Sequence, residues 1–226
     1  MTASPTSNRK RPGKQGHAGY RKESVVVSRK ALAASRRTVL SYEHFALEYD
    51  KLIDEIPPTD VQGALRRMVA LIPHRGVVLE VGSGPGRDAD FLEMLSASVR
   101  RTDATQAFLD IQAARGKCGE LMNLLTDDLE GPYDAVLALC TLIHIDRGHT
   151  SFVLKKIAGA LRPGGAFLVS VREGKGKATG NYHMTYWSHA AFATHLETVG
   201  LRIECSDRRI DVDQDVWMTF LCRRPA

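Results

Sequence analysis

Apolar positions fall into two rhythms along the chain. Phe45, Leu47, Tyr49, Leu52, Ile53 and Ile56 recur at roughly helical spacing, and Pro57-Pro58 stops that segment. A second helix is predicted over 60–71, before Pro73. From residue 76 short apolar runs alternate with periodic ones. "GVVLEV" (76–81), "SVRRTD" (98–103), "ELMNLL" (120–125), "YDAVLALC" (133–140) and "AFLVSV" (166–171) read as strands. The segments 87–96, 105–115 and 149–165 read as helices, the last stopped by Pro163-Gly164-Gly165. A final helix over 188–200 has Ser188 as its N-cap and Gly200 as its stop. Strands at 201–209 and 215–224 have a short link and so pair antiparallel. The pattern predicts an α/β fold: a doubly wound seven-stranded sheet, mostly parallel, with a C-terminal antiparallel hairpin.

Residues 1–37 lack such a rhythm. They are polar, basic and rich in Gly, Ser and Pro, and read as a largely disordered tail, with at most local structure in "SVVVSRKALAAS". Residues 38–73 then form an N-terminal helical lid and 74–226 the sheet-bearing core. Charge sharpens this division. The net charge is +5, yet residues 1–37 hold ten Lys or Arg against one acid, Glu23. The rest carries 21 basic and 25 acidic residues, so the excess positive charge lies entirely on the tail. Such an arm suits an anionic partner, with salt-sensitive binding, or is merely solvated.

No run of about 18 apolar residues marks a membrane span, and no apolar h-region marks a secretory signal. Cys118, Cys140, Cys205 and Cys222 are scattered, with no spacing that would hold zinc, so no metal is expected. Single cysteines suit a reducing cytoplasm.

"VLEVGSGPGRDADFL" (78–92) carries the chemistry. Its glycines lie between a strand and a helix, where a backbone free of Cβ can approach a ligand and helix N–H groups face an anion. A phosphate-binding P-loop needs Lys-Ser or Lys-Thr after its last glycine, and Arg87-Asp88 stands there instead. The dinucleotide fingerprint needs a glycine at Arg87. What remains is Glu80, Gly82, Gly84 and Gly86 in an acid-x-Gly-x-Gly-x-Gly pattern, with Asp103 lying 21 residues past Gly82.

These residues, with "YDAVLALCTLIHI" and "ALRPGGAFLVSV", resemble the class I S-adenosylmethionine-dependent methyltransferases over residues 40–224. The resemblance implies a Rossmann-like sheet and S-adenosylmethionine as cofactor. It places Glu80, Gly82, Ser83, Gly84, Gly86, Asp103, Ala104 and Cys140 around the cofactor, with Asp103 on the ribose hydroxyls. Asp103 also reads as a helix N-cap. Thr126 and Asp127 are candidates for the adenine, or else solvated turn residues.

Methyl transfer from a sulfonium needs alignment first, and a base only where the nucleophile holds its proton. His144 is the candidate base, or else a hydrogen-bonding anchor for its loop. Tyr42 and Tyr49 on the first helix, and His183, Tyr186 and Trp187 after the fifth strand, are candidate substrate contacts, or else packing. Cys140-Thr141-Leu142-Ile143 replaces the Asn-Pro-Pro-Tyr tetrad typical of exocyclic-amine methyltransferases, and no Pro-Cys nucleophile is present. A small-molecule acceptor is therefore expected. An RNA, peptide or protein acceptor docked through the tail is the alternative, and a non-catalytic binding protein the third reading. Oligomeric state is not legible.

Overall fold

The computed structural model describes residues 26–226. The chain opens with helix α1 (Arg29–Leu52), capped by the Ser28 side chain, which accepts from Ala31 N. This corrects the tail boundary. Residues 29–37 are helical because Ala31, Ala34 and Thr38 turn one narrow face inward while Arg29, Lys30, Arg36 and Arg37 stay in water. Residues 1–25 lie outside the described residues, so the predicted disorder there is not assessed.

Helix α2 (Thr59–Val69) precedes β1 (Val77–Val81), α3 (Arg87–Met94), β2 (Ser98–Asp103), α4 (Gln106–Ala114), β3 (Gly119–Leu121) and β4 (Tyr133–Ala138). A 3-10 turn (Leu142–His144), α5 (Arg147–Ala160) and β5 (Leu161–Arg172) follow. A two-stranded ribbon, β6 (Lys177–Thr179) and β7 (His183–Thr185), leads to α6 (His189–Thr198), β8 (Arg202–Ile210) and β9 (Val216–Arg223). Ser188 does cap α6, accepting from Ala191 N. Two boundaries differ from those predicted. α5 ends at Ala160, and Pro163-Gly164-Gly165 lies within β5. The ribbon β6–β7 was not legible, since each strand is three residues long, too short for its alternation to stand out.

The main sheet runs β3-β2-β1-β4-β5-β9-β8, and only β9 is antiparallel to its neighbours. The inner strands bury both faces. Val78, Ala135, Leu137, Ala166 and Leu168 pack under α2 and α3, while Leu79, Val136, Ala138, Phe167 and Val169 pack under α5 and α6. Burial on both faces explains the unbroken apolar runs. Parallel strands joined by helices bring their C-terminal ends to one rim. The strand order reverses between β1 and β4, and ligands of open α/β sheets bind at such a switch point.

Candidate active site

The loop after β1 meets the chain leaving β4 at that switch point. Gly82 and Ser83 both donate to Thr102 O on β2, at 2.8 and 2.9 Å. Gly82, Gly84 and Gly86 have φ of +73°, +53° and +93°. The reasons for glycine differ. A Cβ on Gly82 would overlap the Thr141 side chain, and one on Gly86 would press on Arg101 and Gln112. A Cβ on Gly84 would meet no protein atom within 4 Å. The loop therefore keeps Gly84 open toward empty space.

Asp103, at the end of β2, is 7% exposed. One of its carboxylate oxygens accepts from Gly84 N and the other from Thr105 N, each at 2.8 Å. Burial lifts its carboxyl above the usual range, and those two N–H donors oppose the shift. A carboxylate has about four lone-pair sites, so acceptor capacity is left for hydroxyls. Glu80 is buried beside Arg101 in register, and its Oε2 has no hydrogen-bond partner. Burial, with Asp88 close by, holds the Glu80 carboxyl well above the ordinary range.

Two side chains that the sequence reading missed brace this loop. Gln112 on α4 donates to Ser83 Oγ at 2.8 Å and to Gly84 O at 2.7 Å. Arg101 is 2% exposed at its side chain and pairs with Asp90 and Glu93 of α3, each at 2.7 Å. A fully buried Gln at an inward helix position, following Phe108 and Leu109, was the one legible sign.

A cavity of about 90 Å³ lies between this loop and α1. Gly82, Ala104, Thr141, Met122, Asn123 and His144 line it, with Tyr42 above. Thr126 and Asp127 do not line it. Both are exposed on the turn after β3, where Asp127 accepts from Asn123 N at 2.9 Å, the solvated-turn reading. Met122 and Asn123 stand in their place, because the strand stops at Leu121.

A second cavity, of about 400 Å³, opens on the same rim toward α2, lined by Arg87, Asp88, Cys140, Ser170, Arg209 and Thr219 among others. Cys140 has φ +56°, uncommon for a side chain with a Cβ, and its N–H donates to Ser170 Oγ at 2.8 Å. Tyr49 packs on Tyr42 and Phe108, with ring centroids 6.0 and 5.5 Å away, and burial pushes its hydroxyl up to about 12.

His144 Nδ1 lies 2.8 Å from His183 O and Nε2 lies 3.1 Å from Tyr42 Oη. A carbonyl only accepts, so Nδ1 carries the proton and Nε2 accepts from Tyr42. Burial drives the His144 pKa down to about 4. The ring is neutral, and its free lone pair is already used to anchor Tyr42. We expect no inflection near pH 6.5 from His144 in kcat/KM, so the His144→Asn profile keeps the parent's shape from pH 5.5 to 8. An inflection present in the parent and lost in His144→Asn would reinstate the base. The folded pKa is depressed below the unfolded value of about 6.5, so its stability contribution is complete above that pH. It is lost as pH falls toward 4. The stability gap between parent and variant should narrow over that window in denaturant titrations.

The candidates after β5 lie elsewhere. Trp187 is fully buried against Phe192, with ring centroids 5.6 Å apart, and Arg147 stacks over it at 3.8 Å. Tyr186 faces Arg172. His183 is buried, its ring 3.1 Å from Thr185 Oγ1. None of the three lines either cavity; they pack α6 and the ribbon onto the sheet, and Tyr182, also outside both cavities, packs on Tyr42 with ring centroids 4.7 Å apart.

Residues 79–167 match the family described as "Methyltransferase domain". No curated protein matches the sequence. Among solved structures, the chain is similar to 1,6-didemethyltoxoflavin-N1-methyltransferase of Burkholderia thailandensis, solved with 1,6-didemethyltoxoflavin and S-adenosylhomocysteine. It is 21% identical with a TM-score of 0.71, covering 90% of this chain and 93% of that one. The CcbJ methyltransferase of Streptomyces caelestis is 19% identical with a TM-score of 0.68, covering 84% and 99%. DhpI, in complex with SAH, is 20% identical with a TM-score of 0.67, covering 85% and 97%. Residues 79–167 thus match a methyltransferase domain, and the fold around them is the one these solved methyltransferases share.

Proposed function

We propose that the protein transfers a methyl group from S-adenosylmethionine to a small organic molecule. The observation carrying this reading is the pair of cavities on one rim, one of them lined by Gly82 of the glycine loop and by Tyr42 of α1. The residues present fit the cofactor. Gly84 leaves room that no protein atom fills, Asp103 keeps spare acceptor capacity, and Glu80 holds a buried oxygen without a donor. Asp103 would hold the ribose hydroxyls, Met122 and Asn123 would flank the adenine, and Glu80 would meet the ammonium group. When bound, the cofactor supplies an electrophilic methyl on a sulfonium sulfur. The chain's own residues orient and exclude water, since in-line displacement gains most from alignment. Tyr42, anchored by His144, lines the first cavity, and Tyr49 packs beside it.

The second cavity is the proposed acceptor pocket, and at about 400 Å³ it falls in the usual range for small ligands. The neighbour solved with 1,6-didemethyltoxoflavin has such a ligand and supports the reading. Labelled-methyl transfer from the cofactor into a small-molecule extract, read by mass spectrometry, tests it. Label appearing only in RNA or protein would overturn it.

A macromolecular acceptor has one observation in its favour. Arg29, Lys30, Arg36 and Arg37 are exposed on α1, continuing the charge of residues 1–25. Because α1 starts at Arg29, the deletion that separates the readings is 1–25, which spares the helix. We expect that deletion to leave kcat/KM for the small acceptor within about twofold between 50 and 200 mM salt. A steep, salt-dependent loss would favour the docked polyanion.

A further inference from the structure

Helix α1 is held in an unusual way. Its fully buried residues are Ala31, Ala34, Thr38 and Ala46, all small, and the rings of Tyr42 and Tyr49 pack on Phe108 of α4, each with centroids 5.5 Å away. Polar contacts pin it as well. Ser35 Oγ accepts from Asn123 at 3.0 Å, Thr38 Oγ1 from His183 N at 3.0 Å, and Tyr42 bonds His144. The pin that stands apart is Glu43. Its Oε1 accepts from Gln106 N at 2.6 Å and its Oε2 from Ala107 N at 3.0 Å. These are the first two helical residues of α4, whose N–H groups have no partner within their own helix. No side chain of α4 or its N-cap residue Thr105 caps them. Asp103 takes the preceding N–H, that of Thr105. A carboxylate from α1 therefore completes the N-terminus of the helix that starts beside Ala104, on the wall of the cofactor cavity.

That cavity measures about 90 Å³, well below the roughly 300 Å³ at which sites for whole ligands begin. Its other walls are the end of β1, the residues just after β2, β3 and β4, and the 3-10 turn, most of them direct continuations of sheet strands. The wall that is no continuation of the sheet is α1, so α1 is the part that yields when the cavity widens.

We infer that Glu43 is a positioning residue that latches α1 shut over the cofactor site by capping the N-terminus of α4. This rests on the methyltransferase reading for the identity of the ligand, though not for the latch itself. The charge of the carboxylate, the two N–H donors and the helix dipole all favour the closed position. The latch acts through α1, carrying Tyr42 and Tyr49 with it, and touches no reacting atom.

Two measurements test the inference. Amide hydrogen exchange on the ligand-free protein reads the latch directly. N–H groups in a first helical turn exchange fast unless something accepts from them, so Gln106 and Ala107 should be protected in the parent. Glu43→Ala should remove that protection by about tenfold or more, leaving Phe108 and Leu109 unchanged. Unprotected amides at 106 and 107 in the parent would overturn the latch. The second measurement is S-adenosylhomocysteine dissociation by stopped flow. Glu43→Ala should raise koff about tenfold, with kon within about threefold of the parent. Glu43→Gln, which keeps the shape and one acceptor, should fall between.

Gln106→Pro guards against a merely structural effect. Proline is tolerated at the first helical position and deletes one of the two donors. In that background Glu43→Ala should raise koff by clearly less than in the parent. Full additivity, or an unchanged koff in Glu43→Ala, would sink the latch. A parent that shows protected amides yet fails to bind S-adenosylhomocysteine would count against the cofactor instead.

Discussion

Gly84→Val should abolish S-adenosylhomocysteine binding while leaving a folded protein. A Cβ at this position meets no protein atom within 4 Å, so the substitution collides with nothing in the chain itself. What it fills is the space that the loop holds open, and a branched side chain there excludes a ligand's close approach. We expect affinity to fall by roughly 100-fold or more, beyond what a lost contact gives. The fold bears one cost, since φ is +53° and a β-branched residue in the left-handed region is strained by about 1–3 kcal/mol. For a chain of this size that lowers Tm by roughly 3–10 °C. Calorimetric titration and thermal unfolding on one sample distinguish the two effects. Gly82→Val is the contrasting variant. Its Cβ overlaps Thr141, so misfolding and lost binding should appear together. Tight binding by a well-folded Gly84→Val protein would show that the ligand does not pass over this loop.

Asp103→Asn carries the second large effect. The carboxylate accepts from Gly84 N and Thr105 N while 7% exposed, and those bonds tie the glycine loop to the start of α4. Its remaining lone pairs are the acceptors proposed for the ribose hydroxyls. Asparagine preserves the shape but offers one oxygen and turns an NH₂ toward one of the two amides. One buried N–H then faces a donor, at a cost of about 1–3 kcal/mol of stability. The ligand loses a charged acceptor for two hydroxyls, about 3 kcal/mol, so S-adenosylhomocysteine affinity should drop about 100-fold. Adenosine, which keeps both hydroxyls, should weaken in parallel, whereas 2′,3′-dideoxyadenosine should bind parent and variant alike. An equal loss for the dideoxy compound would assign Asp103 to loop support alone.

The fold was legible because its main signal is local. Strands buried on both faces must be apolar throughout, and helices between them must show a 3.6-residue stripe, so both marks lie in consecutive residues. The glycine loop was legible for a related reason. Positive φ disfavours a Cβ, and Gly82, Gly84 and Gly86 all have it within five residues, with close approach added at Gly82 and Gly86. The elements that failed lack such a mark. The first turns of α1 hide among ten cations, since a helix anchored by alanines needs no apolar stripe. The ribbon β6–β7 pairs through its backbone and is polar at most positions.

Site residues divide along the same line. Gly82 and Ala104, named through the resemblance, and Tyr42 and His144, named as candidate contact and base, line the cavity, and Asp103 braces its loop. His183, Tyr186 and Trp187 were drawn to it by chemistry alone, and the structure spends them on packing. What the amino-acid order by itself determined was the alternation of elements and the glycine turn, both consequences of steric and burial demands within a few residues. Tertiary structure alone decided that Glu43 meets Gln106, 63 positions away, and that Gln112 reaches back 28 positions to Gly84. It also decided that His144 lends its lone pair to Tyr42. In each case one partner is a backbone group or a tautomer. Every sequence has such groups, so only their position in space makes them specific.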